Sequence, residues 1–450
     1  MSHDMRSIRH GKIHGHASPL LVVLTLLFWC GAFGLASAAT LCVNPGGTSG
    51  CKSTISAAVA AAAAGDTIKV APGTYKEQVT ITKSLSLVAL NSVQPTIDAA
   101  GKSNGIFING MWAAPNPGVT NVLISGFKIE NAKFEGILVV NASDVVIIGN
   151  HVFDNNKSLD IAGSTCPGIP AFETNEGDDC GEGIHLMAAA DASVVGNESD
   201  FNSGGILISD ETGPSRDNLI SGNRFHDNPF DCGITMASHG PATTVIPSAK
   251  VSFGVYRNTI AHNVSQHNGY QVPGAGAGVG IFAPFPGTTA AANVVIDNDI
   301  LDNGLPGVTL HNHAAAPAPA PAINLNDNII VGNHISGNAA DTEDAATSGP
   351  TGINVYSVAP VFGTVISQNV FDDEAIDVAF KAPTGQVSAH LNNFDTTGIG
   401  VDNLGKGNVN ATYNWWNCPA GPGGKGCSTV SGPKVAFSPW LTSPFDASSY

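Results

Sequence analysis

The sequence predicts an all-β solenoid: a single-stranded right-handed parallel β-helix with an N-terminal capping helix and an irregular C-terminal cap. Three observations predict it. A glycine followed by alternating aliphatics recurs with starts 22 or 23 residues apart where uninterrupted, as from 183 to 205 and from 352 to 375. A second phrase, a short aliphatic run closing on asparagine, recurs between the first. The composition, with 52 Gly and only 12% charged residues, disfavours helices and suits short strands joined by tight turns.

In chain order, the first residues read as an export signal spanning 1–38. Arg6, Arg9 and Lys12 precede an apolar stretch from Leu20 to Phe28, and Ala36-Ser37-Ala38 offers small residues for cleavage. The apolar stretch approaches spanning length, so an uncleaved anchor is the alternative reading. Thr54 to Ala64 is alanine-rich and helix-favouring, stopped by Gly65-Asp66 ahead of a strand from Thr67 to Val70. Together, residues 39–128 are expected to form the N-terminal cap and first turns, as a solenoid needs a cover against edge-to-edge growth.

Residues 129–410 carry the repeat. Its first phrase stands at Gly136-Ile137, Gly183-Ile184, Gly205-Ile206, Gly233-Ile234, Gly280-Ile281, Gly307-Val308, Gly352-Ile353, Ala375-Ile376 and Gly398-Ile399. The second closes on Asn150, Asn197, Asn223, Asn298, Asn333 and Asn369. A lone turn cannot bury its aliphatics, but stacking lets each inward Ile, Val or Leu contribute about 1.5–3 kcal/mol. The asparagines suit turns that need left-handed backbone, and an aligned column of them can exchange side-chain hydrogen bonds. Leucine-rich and propeller repeats demand other periods and other fixed residues. The insertion Ser164 to Glu182 carries Glu173, Glu176, Asp178 and Asp179, and the Ala/Pro run from Ala314 to Ala322 reads as a stiff loop. Trp415, Trp416 and Pro439-Trp440 mark an aromatic, proline-rich cap over 411–450.

Of eight cysteines one, Cys30, lies in the expected leader; of the other seven, Cys42/Cys51, Cys166/Cys180 and Cys418/Cys427 are close pairs, expected as disulfides in an oxidising compartment although spacing does not fix connectivity. Cys232 is left over and expected as a small buried apolar residue. The formal net charge is −17, and the leader removes more basic than acidic residues. An acidic surface repels phosphate backbones, which excludes nucleic acid, and it resists a polyanionic glycan unless a cation bridges the two. After signal removal no segment is apolar enough to span a bilayer, so a secreted or periplasmic protein is expected. The oligomeric state stays open.

Residues Ile55 to Val79, with Gly65-Asp66-Thr67-Ile68 and Pro72-Gly73-Thr74-Tyr75-Lys76-Glu77, resemble the opening of pectin-lyase-like β-helix proteins, among them pectinesterases and NosD-type periplasmic copper-accessory proteins. The Asn/Gly-Ile turns and the ending Asn414-Trp415-Trp416 with Ser438-Pro439-Trp440-Leu441 resemble NosD-like and generic secreted β-helix repeat proteins. The resemblance covers nearly the whole mature chain and implies the fold; it leaves the chemistry open, because such folds host lyases, hydrolases, esterases and binders. The pectinesterase catalytic phrases are missing. Gly177-Asp178-Asp179-Cys180 matches the paired-Asp phrase of polygalacturonases, whose other phrases are missing too.

Register gives a further lead. Aligning the glycine phrases lines one edge of the coil with His185, Asp210, Glu211, His239, Phe282, Phe285, His311, His313 and Tyr356. His185 and Phe282 are both expected at the outward position just after the inward Ile. Rings that stack on sugars, beside carboxylates and imidazoles that handle protons, suit a glycan groove. In this reading Asp178, Asp179, Asp210, Glu211, His185 and His239 are the candidate catalytic groups, and Phe282, Phe285 and Tyr356 the substrate-binding ones. Arg216 and Arg224 supply the basic group a uronate lyase needs. Calcium, which seeks oxygen, suits the carboxylates. Three functions follow: an enzyme or binder of extracellular polysaccharide, a lyase or hydrolase if it is an enzyme; a NosD-like copper-handling protein using His311 and His313, weakened by a shortage of methionine; or a non-catalytic surface protein. For each residue alone, a solvated turn is the plainer reading.

Overall fold

The computed structural model describes residues 38–111, 118–163, 165–174, 181–240, 251–271, 276–312, 314, 320–342 and 347–446. The expected signal segment, Asp178, Asp179, Cys180, Glu176, His313 and most of the Ala/Pro run lie outside them.

Alternation of inward aliphatics with outward small or polar residues makes each repeat a short strand, and each strand pairs in parallel with its counterpart one turn on. One such series runs Ile106–Asn109, Ile137–Ile148, Ile184–Ala190, Ile206–Ser209, Ile234–Ala237, Val279–Phe282, Val308–His311 and Thr351–Tyr356. It belongs to a 28-stranded sheet, and an 11-stranded sheet from Thr74–Tyr75 to Asn393–Phe394 closes another side. The inward pairs, such as Ile184/Leu186, Ile206/Ile208, Val279/Ile281 and Ile353/Val355, are fully buried in one continuous core. This is the expected coil.

Ile55–Ala61 is helical, with Thr54 Oγ1 accepting from Ala57 N (3.2 Å) and the Glu77 carboxylate accepting from Ile55 and Ser56 N–H. It buries Ile55, Ala58 and Val59 against the first turns and ends three residues earlier than the alanine run suggests, because Ala62 is already extended. At the other end Trp416 is fully buried, edge-on to Phe394 at 4.9 Å. Cys42–Cys51 and Cys418–Cys427 are disulfides, and Cys232 is free and buried.

Asparagine ladders run along the coil. Asn263 N and Nδ2 both donate to Asn298 Oδ1 (2.9 and 3.0 Å), while Asn263 Oδ1 accepts the same pair from Asn223. The series runs from Asn150 through Asn197, Asn223, Asn263, Asn298, Asn333, Asn369 and Asn392 to Asn414. One expectation is corrected here. The left-handed backbone sits on the residue before each ladder position, at Gly149, Gly196, Gly222, His262, Asp297 and Gly332, not on the asparagine. The asparagine is kept for its amide, which alone presents a donor and an acceptor along the axis.

Candidate functional site

The outer face of the strand series is where side chains leave the core. Glu135 and Glu182 each directly precede a repeat glycine, and Gly136 lies over Gly183 with Gly136 N donating to Glu182 O. The two glutamates therefore stack in adjacent turns. His185, two residues after Gly183, turns outward between the inward Ile184 and Leu186. Glu135, Glu182 and His185 offer ligand atoms all within 4.8 Å of one another, a buried group that could hold a metal ion.

A loop covers them. Phe172 packs on Leu138, Val140 and Met187 and stacks on Phe107 at 6.5 Å. The next two residues bring Glu173 onto the glutamates and Thr174 Oγ1 onto Glu211 Oε1 (3.3 Å). The described part of the insertion, residues 165–174, thus lies over these turns. Burial, the dominant cause, pushes Glu135 up to about 7 and Glu173 well above the carboxylate range, with neighbouring carboxylates adding to both. The Glu135 and Glu173 carboxyls lie against each other.

A relay leads away from this group. Ser209 Oγ donates to Glu211 Oε2, and His185 Nε2 lies 2.7 Å from the same hydroxyl. His239 Nδ1 lies 3.3 Å from Glu211 Oε1. His185, Glu211 and His239 are all buried, so the expectation of an open strip fails at this end of the edge. The loop that supplies Glu173 reaches Glu211 through Thr174.

Asp210 is fastened differently from its neighbour. Its carboxylate accepts from His239 N (2.7 Å), Ser238 Oγ (3.0 Å) and Gly254 N. Burial pushes it up to about 6, against these donors and the His239 charge. It ties down the chain on both sides of residues 241–250.

Arg216 and Arg224 are not brought to the buried carboxylates. Arg216 Nη1 pairs with Asp217 (2.6 Å), which also takes a two-point contact from Arg257, and Arg224 leans on Glu198 at 3.7 Å. Both face outward beside carboxylates of their own or adjacent turns, which satisfies them there.

The ring-bearing residues form a column of their own. Ser209, Ala237, Phe282, His311, Tyr356 and Lys381 are in register on successive turns. The Phe282 and His311 rings are 6.2 Å apart, His311 meets Tyr356 edge-on at 4.9 Å, and Lys381 Nζ lies 5.3 Å from the Tyr356 ring centre. Phe282 and Tyr356 are half-buried, His311 is buried between them, and Phe285 is 46% exposed in the turn beyond. His185 is not in this column. Its row continues Leu207, Thr235, Gly280, Thr309 and Asn354, so the expected alignment of His185 with Phe282 is off by two residues.

Glu135 escaped sequence reasoning, and Glu182 entered it only as the end of an insertion. A signal was present: Glu135-Gly136-Ile137 and Glu182-Gly183-Ile184 are the same phrase one turn apart.

Among the described residues no helix is long and apolar enough to cross a membrane. Residues 104–252 match the family model described as "Right handed beta helix region". No curated protein matches the chain. Three solved structures are similar to it. The Dettilon tailspike protein (gp208) is 14% identical at a TM-score of 0.51, over 83% of this chain and 62% of that one. The Streptococcus pneumoniae surface protein and adhesin PfbA is 13% identical at 0.51, over 85% and 94%. The Agl-KA catalytic domain is 11% identical at 0.50, over 86% and 63%. This chain therefore spans less than two thirds of the tailspike and Agl-KA chains. At these identities the likeness is one of fold, and with the parallel rungs it makes this chain a right-handed parallel β-helix.

Proposed function

We propose that this chain is an exported protein that engages an extracellular polysaccharide along the outer face of its coil, with the buried carboxylate–imidazole group at one end of the binding track. The column Phe282–His311–Tyr356–Lys381 carries the reading. Its residues repeat at the spacing of strands, about 4.8 Å. Half-buried rings held in line by the rungs give a sugar chain flat apolar faces at no cost in loop ordering. The column runs in register into Ser209, and Ser209 hydrogen-bonds both His185 and Glu211. A glycan lying on the rings would thus point toward a group able to hold or move protons. The disulfides Cys42–Cys51 and Cys418–Cys427 suit an oxidising compartment. Similar folds occur in a tailspike and a surface adhesin, which supports the reading at the level of architecture.

The test is retention on a panel of immobilised neutral and acidic polysaccharides, followed by affinity measurement on any that bind. Phe282→Ala and Tyr356→Ala are expected to weaken binding at least tenfold each without changing the circular dichroism. Failure of the unaltered protein to bind any polysaccharide, or full binding by the double variant, defeats the reading.

A further inference from the structure

We propose that Glu135, Glu182 and His185 form a binding site for one first-row divalent transition ion, of the Zn²⁺ or Mn²⁺ type, beneath the loop that carries Glu173. The site is built from two adjacent turns of a rigid coil, so its three ligand atoms are placed by the strand register, not by a flexible loop.

Two further observations point to a cation. The first is the state of the oxygens around the group. Glu135 Oε1 is fully buried and meets no donor among the described residues, and neither oxygen of Glu173 does, although that side chain is more than nine-tenths buried. Glu173 is lowered onto the trio by the covering loop. Glu135 Oε2, by contrast, is accounted for: Asn104 donates to it at 2.7 Å. Burying carboxylate oxygens away from donors is costly unless a cation takes their place.

The second is the arrangement around His185. Ser209 has one hydroxyl hydrogen, and it goes to the Glu211 carboxylate. The 2.7 Å contact between Ser209 Oγ and His185 Nε2 must then be one in which the imidazole donates. In the neutral ring this leaves the lone pair on Nδ1. Metal-binding imidazoles are fixed in this way, with the far N–H given to an oxygen that is itself hydrogen-bonded. The chain from Glu211 through Ser209 to His185 sets the tautomer that a ligand needs.

Ligand chemistry selects the ion. Two carboxylates and an imidazole suit zinc, manganese or iron(II). Calcium wants six to eight oxygens and gains little from nitrogen. Copper(I) would want thioether or thiolate, which the trio lacks.

This proposal shares residues with the functional reading above but does not depend on it, since ion binding is measured without sugar. The protein lacking residues 1–38 is stripped with chelator and titrated with Zn²⁺, Mn²⁺ and Ca²⁺ by calorimetry, with elemental analysis of the product. One Zn²⁺ or Mn²⁺ per chain is expected, with Ca²⁺ at least 100-fold weaker. Glu182→Gln and His185→Gln are expected to weaken binding at least tenfold, and Glu198→Gln, which removes the exposed partner of Arg224, to leave it unchanged. No saturable one-per-chain binding, calcium binding as tightly, or loss of binding in Glu198→Gln would overturn the proposal. Should the site variants fail to fold, X-ray absorption on the unaltered zinc-loaded protein decides. A shell of oxygens with one imidazole is expected; two or more imidazoles, or sulfur, would place the ion elsewhere and overturn it.

Discussion

Glu374 occupies the place of the next asparagine after Asn338 and accepts both of its donors, N and Nδ2, at 3.0 Å on a single oxygen. The ladder below it runs through Asn228, Asn268 and Asn303. A carboxylate accepts as an amide does but has no N–H to pass upward, so the series stops here. Beside it, Asp377 stands where earlier turns place glycine, since Ile376 and Val378 pair with Thr351 and Ile353 on either side of Gly352. Burial is the main cause that pushes Glu374 up to about 7 and Asp377 well above its usual range.

That pair gives the coil a pH dependence of definite sign. A carboxyl whose folded pKa lies above its unfolded value makes the folded chain hold the extra proton. Its stabilising share is full below the ordinary carboxylate range and is lost as pH rises through 7. A shift of this size corresponds to at most about 3 kcal/mol for Glu374. Urea midpoints are expected to fall between pH 5 and 8, and Glu374→Gln to remove part of that slope and to be more stable than the parent at pH 8. An unchanged slope in the variant would show that the carboxyl is not buried as described. Asp210, pushed up to about 6, adds slope of the same sign that the variant leaves in place.

The fold was legible because its signal is repeated; the site was not, because its signal depends on phase. Gly280-Ile281 and Gly278-Val279 read equally well as the start of a turn, and inside/outside parity is identical when a strand slips by two. Val279 pairs opposite Ile234, so Gly278 is the true counterpart of Gly233. The same slip occurs at Ala375-Ile376, where Val378 is what pairs with Ile353. Hydrophobic pattern cannot resolve it, so the outward rows were mixed, and the stacked pair Glu135/Glu182 was hidden by the 47-residue gap between them. The covering loop was legible as an insertion, but that it buries the acids follows only from Phe172 finding Met187 and Phe107.

Asn298 measures what a single ladder position is worth. It accepts from Asn263 N and Nδ2 and donates to Asn333 Oδ1 (2.9 Å) and to the carbonyls of Ile260 and Ile296. Asn298→Ala orphans two buried donors, each costing about 1–3 kcal/mol. Chemical denaturation is expected to show a loss of about 2–6 kcal/mol, the range those two penalties span. A loss under about 0.5 kcal/mol, the size of an ordinary surface change, would mean water repairs the gap.

Two glycines eleven residues apart should answer differently. A Cβ on Gly233 would sit 2.0 Å from Ser265 Oγ and 2.6 Å from Asn268 Nδ2, on the ladder itself. Gly233→Ala is expected to cost at least about 2 kcal/mol, as overpacking of a close contact does. Gly222 has φ +65 with no heavy atom within 4 Å of its would-be Cβ. Gly222→Asn is expected to fold with a melting temperature within a few degrees of the parent, since asparagine tolerates the left-handed region. Equal melting temperatures for the two variants would contradict the packing described.

Asp210 separates anchoring from chemistry. One oxygen takes His239 N and the other takes Ser238 Oγ and Gly254 N, so either orientation of an amide in its place turns an NH₂ toward a backbone N–H. Asp210→Asn is therefore expected to destabilise by about 1–3 kcal/mol, the cost of leaving a buried donor unmet. The effect should be local: hydrogen exchange at the His239 and Gly254 amides is expected to quicken at least tenfold, while the Ile234–Ala237 rung keeps its protection. Glycan affinity should be nearly unchanged, because the ring column does not include Asp210. A variant with parental exchange at both amides, but no glycan binding, would put Asp210 in contact with the sugar and end its reading as an anchor.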